Sequence, residues 1–135
     1  MNLGSYIESA EKQKGGAPIY IEDATFFARR YGTHESNKIV KSISRRLFGP
    51  FHKSQPEDND LIFAHWLVEY GIIGWENVYN PDGSLLEYSE HNARLTFLNP
   101  EIFLSLNKLI YFELNNFENF LYDSLEEDIE DIKKP

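Results

Sequence analysis

Between Phe103 and Ile132 apolar residues return at steps of three or four: Phe103, Leu106, Ile110, Leu114, Phe117, Leu121, Leu125, Ile129 and Ile132. The mean step is close to one α-helical turn, so the series lays a single stripe along a helix. Asn99-Pro100-Glu101 supplies a cap, a first-turn proline and a first-turn acid in order, which predicts a long C-terminal helix opening at Asn99. Ile102, Leu109, Tyr111, Phe112, Phe120 and Tyr122 lie off the stripe, so the first turns are apolar nearly all round. Such a helix must be covered on most sides. Two coverings are open: the helix is the centre of its own fold, or Asn99 to Tyr122 also packs on another protein. The second makes Phe103, Leu106, Ile110, Tyr111, Leu114, Phe117, Phe120 and Leu121 candidate protein-binding residues, with the acidic run Glu126 to Asp131 keeping the assembly in solution.

Upstream, residues 1–16 end in Gly15-Gly16 and read as an N-terminal arm, either a short amphipathic turn of helix or a loose segment, leaving 17–135 as a single mainly helical domain. Pro18 to Glu22 and Thr25 to Tyr31 are rich in β-branched and aromatic residues, which favours a small hairpin turning near Asp23. Thr33 can cap a helix carrying Ile39, Val40, Ile43 and Leu47 on one face and ending before Gly49-Pro50. A second helix is expected from Ser54 and the acids at 57, 58 and 60 to Tyr70. Asn80-Pro-Asp-Gly is a β-turn signal, and Ser89 caps a helix over Glu90 to Phe97. The expected fold class is therefore α+β, mainly α: four to five helices, a small N-terminal β-hairpin and a long C-terminal helix.

Charge separates along the chain. Residues 1–56 hold nine Lys/Arg and five Asp/Glu, whereas residues 57–135 hold four and seventeen, which together give the net −9. An acidic half is poorly suited to phosphate backbones, so nucleic acid is an unexpected partner. Aromatic residues at 15% exclude a generic disordered acidic chain. With Cys 0 there is no disulfide, thiolate site or cysteine nucleophile. His34, His52, His65 and His91 follow no metal-ligand spacing, and no phosphate-binding glycine loop or nucleophile elbow occurs. The reading is a non-enzymatic, cofactor-free protein binder. The polar N-terminus and the lack of a long apolar run predict no signal peptide and no membrane span, hence a cytoplasmic location. Lys38, Lys41 and Arg45 share one helix face, most simply a solvated one. They are also candidate self-association residues, able to receive the acidic C-terminal region of a neighbouring copy.

The stretch from Trp66 to Leu98 resembles the tail assembly chaperones of long-tailed bacteriophages. The resemblance rests on Gly74, Trp75, Glu76 and Val78, the Asp82-Gly83 turn, and Tyr88, Ser89, Glu90, Asn92 and Ala93 at a helix start. It implies a protein that coats the helical, aggregation-prone tape-measure protein before tail-tube subunits polymerise around it. It further implies action in the host cytoplasm, absence from the mature virion, self-association, and a longer form made by programmed frameshift. The rival reading is an acidic regulator that binds and inhibits a nucleic-acid-binding enzyme. Carboxylates interleaved with aromatics, rather than ranked on one regular face, weigh against that rival.

Overall fold

Strands β1 (Ala17–Ile21) and β2 (Ala24–Ala28) pair antiparallel, with Ile21 opposite Ala24 across a tight turn at Glu22-Asp23. Alternation sorts their side chains: Ala17, Ile19, Phe26 and Ala28 point into the core, while Pro18 and Tyr20 face outward. The computed structural model, described here for residues 1–53 and 55–121, adds a third strand, β3 (Ile72–Glu76), antiparallel to β2. The sheet order is β1-β2-β3, so the expected hairpin is only part of a three-stranded sheet. The reason is long-range. Ile72 and Trp75 supply buried side chains, and pairing with β2 satisfies backbone groups that a two-stranded hairpin would leave open. Asn77 leaves β3 at φ 60, a conformation asparagine tolerates, and its side-chain amide donates to the Asp23 carbonyl at 3.3 Å.

Five α-helices complete the described fold: α1 (Ala10–Gly15), α2 (His34–Phe48), α3 (Pro56–Trp66), α4 (Glu90–Phe97) and α5 (Leu106–Leu114). Their starts follow local chemistry. The Ser9, Thr33 and Ser89 hydroxyls accept from the amides of Lys12, Ser36 and Asn92 at 2.9 to 3.2 Å. Helix α3 is capped at Gln55, whose amide donates to Asp58 Oδ2 at 2.8 Å, and His52 Nε2 lies 2.7 Å from the same oxygen. The Gln55 amide, then His52, holds the Asp58 carboxyl below its ordinary range. Its stabilising contribution is therefore complete above the unfolded carboxyl value, about 4, and fades as pH falls through the lower folded value. Asp58→Asn is expected to lower the urea midpoint at pH 7, with the gap from the parent chain closing as pH drops below about 4. A pH-independent gap would refute the cap assignment.

The long C-terminal helix does not form. Pro100–Ile102 is a 3-10 turn capped by Asn99, α5 begins only at Leu106, and a second 3-10 turn, Phe117–Phe120, follows a break at Asn115-Asn116. Short polar side chains cause these interruptions by offering backbone groups local bonds that compete with the helix. The Asn99 and Asn116 side-chain oxygens accept from the amides of Glu101 and Glu118, each at 3.1 Å, and Asn115 Nδ2 donates to the Tyr111 carbonyl at 2.8 Å. Leu125, Ile129 and Ile132 of the expected stripe, and Tyr122, lie outside the described residues.

The core is organised by two runs of aromatic rings. In one, Trp75 meets Tyr88, Phe97 and Phe26 at centroid distances of 5.1, 5.8 and 6.2 Å; in the other, Trp66 meets Tyr31, Tyr70 and Phe63 at 4.9, 5.7 and 5.8 Å. Each such pair adds roughly 0.5–1.5 kcal/mol beyond burial alone. After Trp66 helix α3 widens into a π-turn, Leu67–Gly71, and passes directly into β3.

The N-terminal segment is tied to the last described turn. Ser9 N donates to the Phe120 carbonyl and Lys12 Nζ to that of Leu121, both at 2.7 Å. Arg30 joins three parts of the chain: Nε meets Glu8 at 2.8 Å, Nη1 donates to the Leu114 carbonyl, and the guanidinium lies 5.5 Å from the Phe120 ring centroid. Arg30→Met retains the stem while removing these bonds. It should cost about 2 kcal/mol in urea unfolding and raise amide exchange over residues 8–14. Unchanged exchange there would show that Arg30 does not hold the segment.

Candidate protein-binding surface

Helix α5 has an inside and an outside. Ile110 and Leu114 are fully buried. Phe112 stands two positions from each, about 200° round the helix, and so points the opposite way. Its side chain is 77% exposed, and Leu109, three residues earlier on the same side, is 53% exposed. Leu104, in the turn before α5, is 75% exposed. An apolar ridge is thus presented to solvent by a helix whose other side is core.

Concave surface flanks the ridge on both sides. On one, Leu106 and Leu109 face Ile21, Ala24, Val78 and Tyr79 across a groove of about 430 Å³. On the other, a larger cleft of about 680 Å³ separates α5 from the first turns of α3. Tyr31, Phe63 and Tyr111 form a ring cluster here with centroids 5.3 to 5.5 Å apart. Burial, with Tyr111 adding to it, pushes the Tyr31 hydroxyl above its ordinary value. Lys108 Nζ and Asp60 Oδ1 meet across the cleft at 3.0 Å.

The sequence-derived contact residues divide between core and surface. Ile110, Leu114 and Phe120 are fully buried; Phe103, Leu106 and Leu121 are half-buried; Tyr111 and Phe117 are 40% and 37% exposed. The most exposed members of this region, Leu104, Leu109 and Phe112, are not among those candidates. For Leu109 and Phe112 the off-stripe position is the available signal. Lys38, Lys41 and Arg45 are all exposed on α2, with Lys38 3.7 Å from Glu35, while Arg46 pairs with Glu69 instead.

The residues carrying the family resemblance serve structure. Trp75 is buried, and its Nε1 donates to the Leu86 carbonyl at 2.8 Å; Tyr88 OH donates to the Ile72 carbonyl at 3.1 Å. Gly83, at φ 88, closes the turn by donating to the Asn80 carbonyl at 2.9 Å. Ala93 has no exposed surface, and Asn92 Nδ2 donates to the Glu87 carbonyl. Among the described residues no three His, Asp or Glu side chains cluster to hold a metal, and no helix is long and apolar enough to cross a membrane. Comparison with protein families, characterised proteins and solved structures finds no match to this chain.

Proposed function

We propose that the protein is a tail assembly chaperone that binds the helical tape-measure protein and keeps it soluble while tail-tube subunits assemble. The observation that carries this reading is the solvent-facing ridge of Leu109 and Phe112 on a helix already anchored by Ile110 and Leu114. An amphipathic client helix can lay its apolar face along such a ridge and into the adjoining groove without unfolding the chaperone. The net charge of −9 opposes aggregation of the loaded complex. The motif residues from Gly74 to Ala93 add the family resemblance, and the reading requires no catalysis, cofactor or nucleic acid. It places the protein in the host cytoplasm and outside the mature virion.

Lys38, Lys41 and Arg45 supply the self-association surface in this reading, by attracting the acidic region of a neighbouring copy. Sedimentation should show association that weakens between low and high salt; salt-independent association would remove the basic face from the assignment. For the client, the test is co-expression with a phage tape-measure protein. That protein should move from the insoluble to the soluble fraction and co-purify, and failure of both would sink the proposal.

A further inference from the structure

The cleft between α3 and α5 has a chemical bias separate from the apolar ridge. Tyr31, Phe63 and Tyr111 provide aromatic rings, whose faces carry the negative part of the quadrupole. Glu57 and Asp60 line the same space from the start of α3. Asn107, 2% exposed, also forms part of the lining. Its Nδ2 donates to the Phe97 carbonyl at 3.1 Å, while its buried Oδ1 has no donor among the described residues. Ring faces, carboxylates and an orphaned amide oxygen all favour positive charge or hydrogen-bond donors.

The chain already seats one cation here. Lys108 Nζ is 3.0 Å from Asp60 and 6.0 Å from the Tyr111 ring centroid. Its side chain is half-exposed, so the pair is weakly held. Two carboxylates against one ammonium leave a single negative charge, and no described cation pairs with Glu57. A neutral apolar visitor would bury that charge uncompensated. A second ammonium would neutralise it as a compact, strongly hydrated ion. A guanidinium is planar and weakly hydrated: it can stack on a ring face while its edge donates to a carboxylate.

We propose that this cleft is a receptor for an arginine side chain presented by a partner protein. The inference does not depend on the identity of the client, because the cleft's own acceptors select the guanidinium. The ridge draws on Leu109 and Phe112 and the cleft on Asn107, Lys108 and Tyr111, so loss of one function can be separated from loss of the other.

The test uses the intact chain and N-acetyl-arginine amide in a ¹H–¹⁵N NMR titration. N-acetyl-lysine amide serves as the alternative cation and N-acetyl-citrulline amide as the uncharged near-isostere. Arginine should give saturable shifts with a Kd of about 1–10 mM. They should centre on the Asn107 side-chain amide and the backbone of residues 57–60 and 111. Lysine should bind several-fold and citrulline about tenfold more weakly. Lys108→Met removes the resident cation and should tighten arginine binding several-fold, while Glu57→Gln with Asp60→Asn should weaken it at least about fivefold. Both variants change exposed or half-exposed charges, and retained spectral dispersion confirms that they fold. Shifts that never saturate, centre elsewhere, match those of citrulline or ignore both variants overturn the proposal.

Discussion

Gly71→Ala should cost about 3 kcal/mol or more of stability and lower the melting temperature by roughly 10 °C. A Cβ at this position would lie 2.2 Å from Cζ3 of Trp66, 2.6 Å from Cε3 and 2.9 Å from Cη2. Neither partner has room to retreat. Trp66 is fully buried, with Tyr31, Phe63 and Tyr70 around its ring. The Gly71 carbonyl accepts from Arg29 N at 2.8 Å, and the next residue begins β3, so moving the backbone pulls at the β2–β3 pairing. Gly71 lies outside the positive-φ glycines; the effect is therefore one of space rather than conformation. Gly15→Ala is the matched control, since nothing lies within 4 Å of its Cβ, and helix propensity makes it neutral or slightly stabilising. Trimming the ring with Trp66→Leu should make Gly71→Ala less costly than in the parent background, a coupling measurable by double-mutant cycle. A loss below about 1 kcal/mol for Gly71→Ala, or perfect additivity with Trp66→Leu, would contradict the close packing.

What could be read from sequence is what the chain decides locally. Thr33 and Ser89 cap the helices expected of them, and Asn80 to Gly83 makes its turn, because each depends on bonds among residues two to four apart. Strand β3 depends instead on β2, nearly fifty positions upstream, and its short run with Gly74 inside carries little local signal. The C-terminal stripe misled for a different reason. Its steps remained helical in number after the helix had stopped: Phe117 is on the stripe yet 37% exposed, whereas Phe120, off it, is fully buried. The asparagines at 115 and 116 shift the phase between those two facts. Periodicity recorded that residues were apolar at regular intervals; it could not register that two separate segments shared them.

The surface followed the same division. Excess apolar width was legible near Phe112, because a helix with apolar residues on every side has more than its own core can cover. Which side stays uncovered required the positions of β1 and the Phe117–Phe120 turn, the elements that pack on α5 where Ile110 and Leu114 are buried. The cleft was further from view. Tyr31 follows the β-hairpin, Glu57 and Asp60 open α3, and Asn107 and Tyr111 belong to α5, so no contiguous motif joins them.

If the proposed function holds, Phe112→Lys combined with Leu109→Gln should weaken binding of the tape-measure client by about 100-fold and abolish its co-expression rescue, while the chain itself remains folded. Aromatic and apolar anchors dominate interfaces of this kind, and these two face away from the core of α5. The replacements protect the helix. Lysine and glutamine are good helix formers, and a lysine near the end of α5 complements the negative pole of the helix dipole. Unfolding free energy should therefore change by no more than about 0.5–1 kcal/mol. Leu95→Gln tests whether exposed hydrophobicity alone suffices: Leu95 is 64% exposed on α4, and its replacement should leave rescue intact. Equal loss from Leu95→Gln would mean diffuse stickiness in place of an α5 ridge. Full rescue by the Phe112→Lys, Leu109→Gln protein would place the client elsewhere. The distinction is decisive because stability and solubility are read separately: a destabilised variant loses both, but one that has lost only its ridge stays folded while the proposed client precipitates.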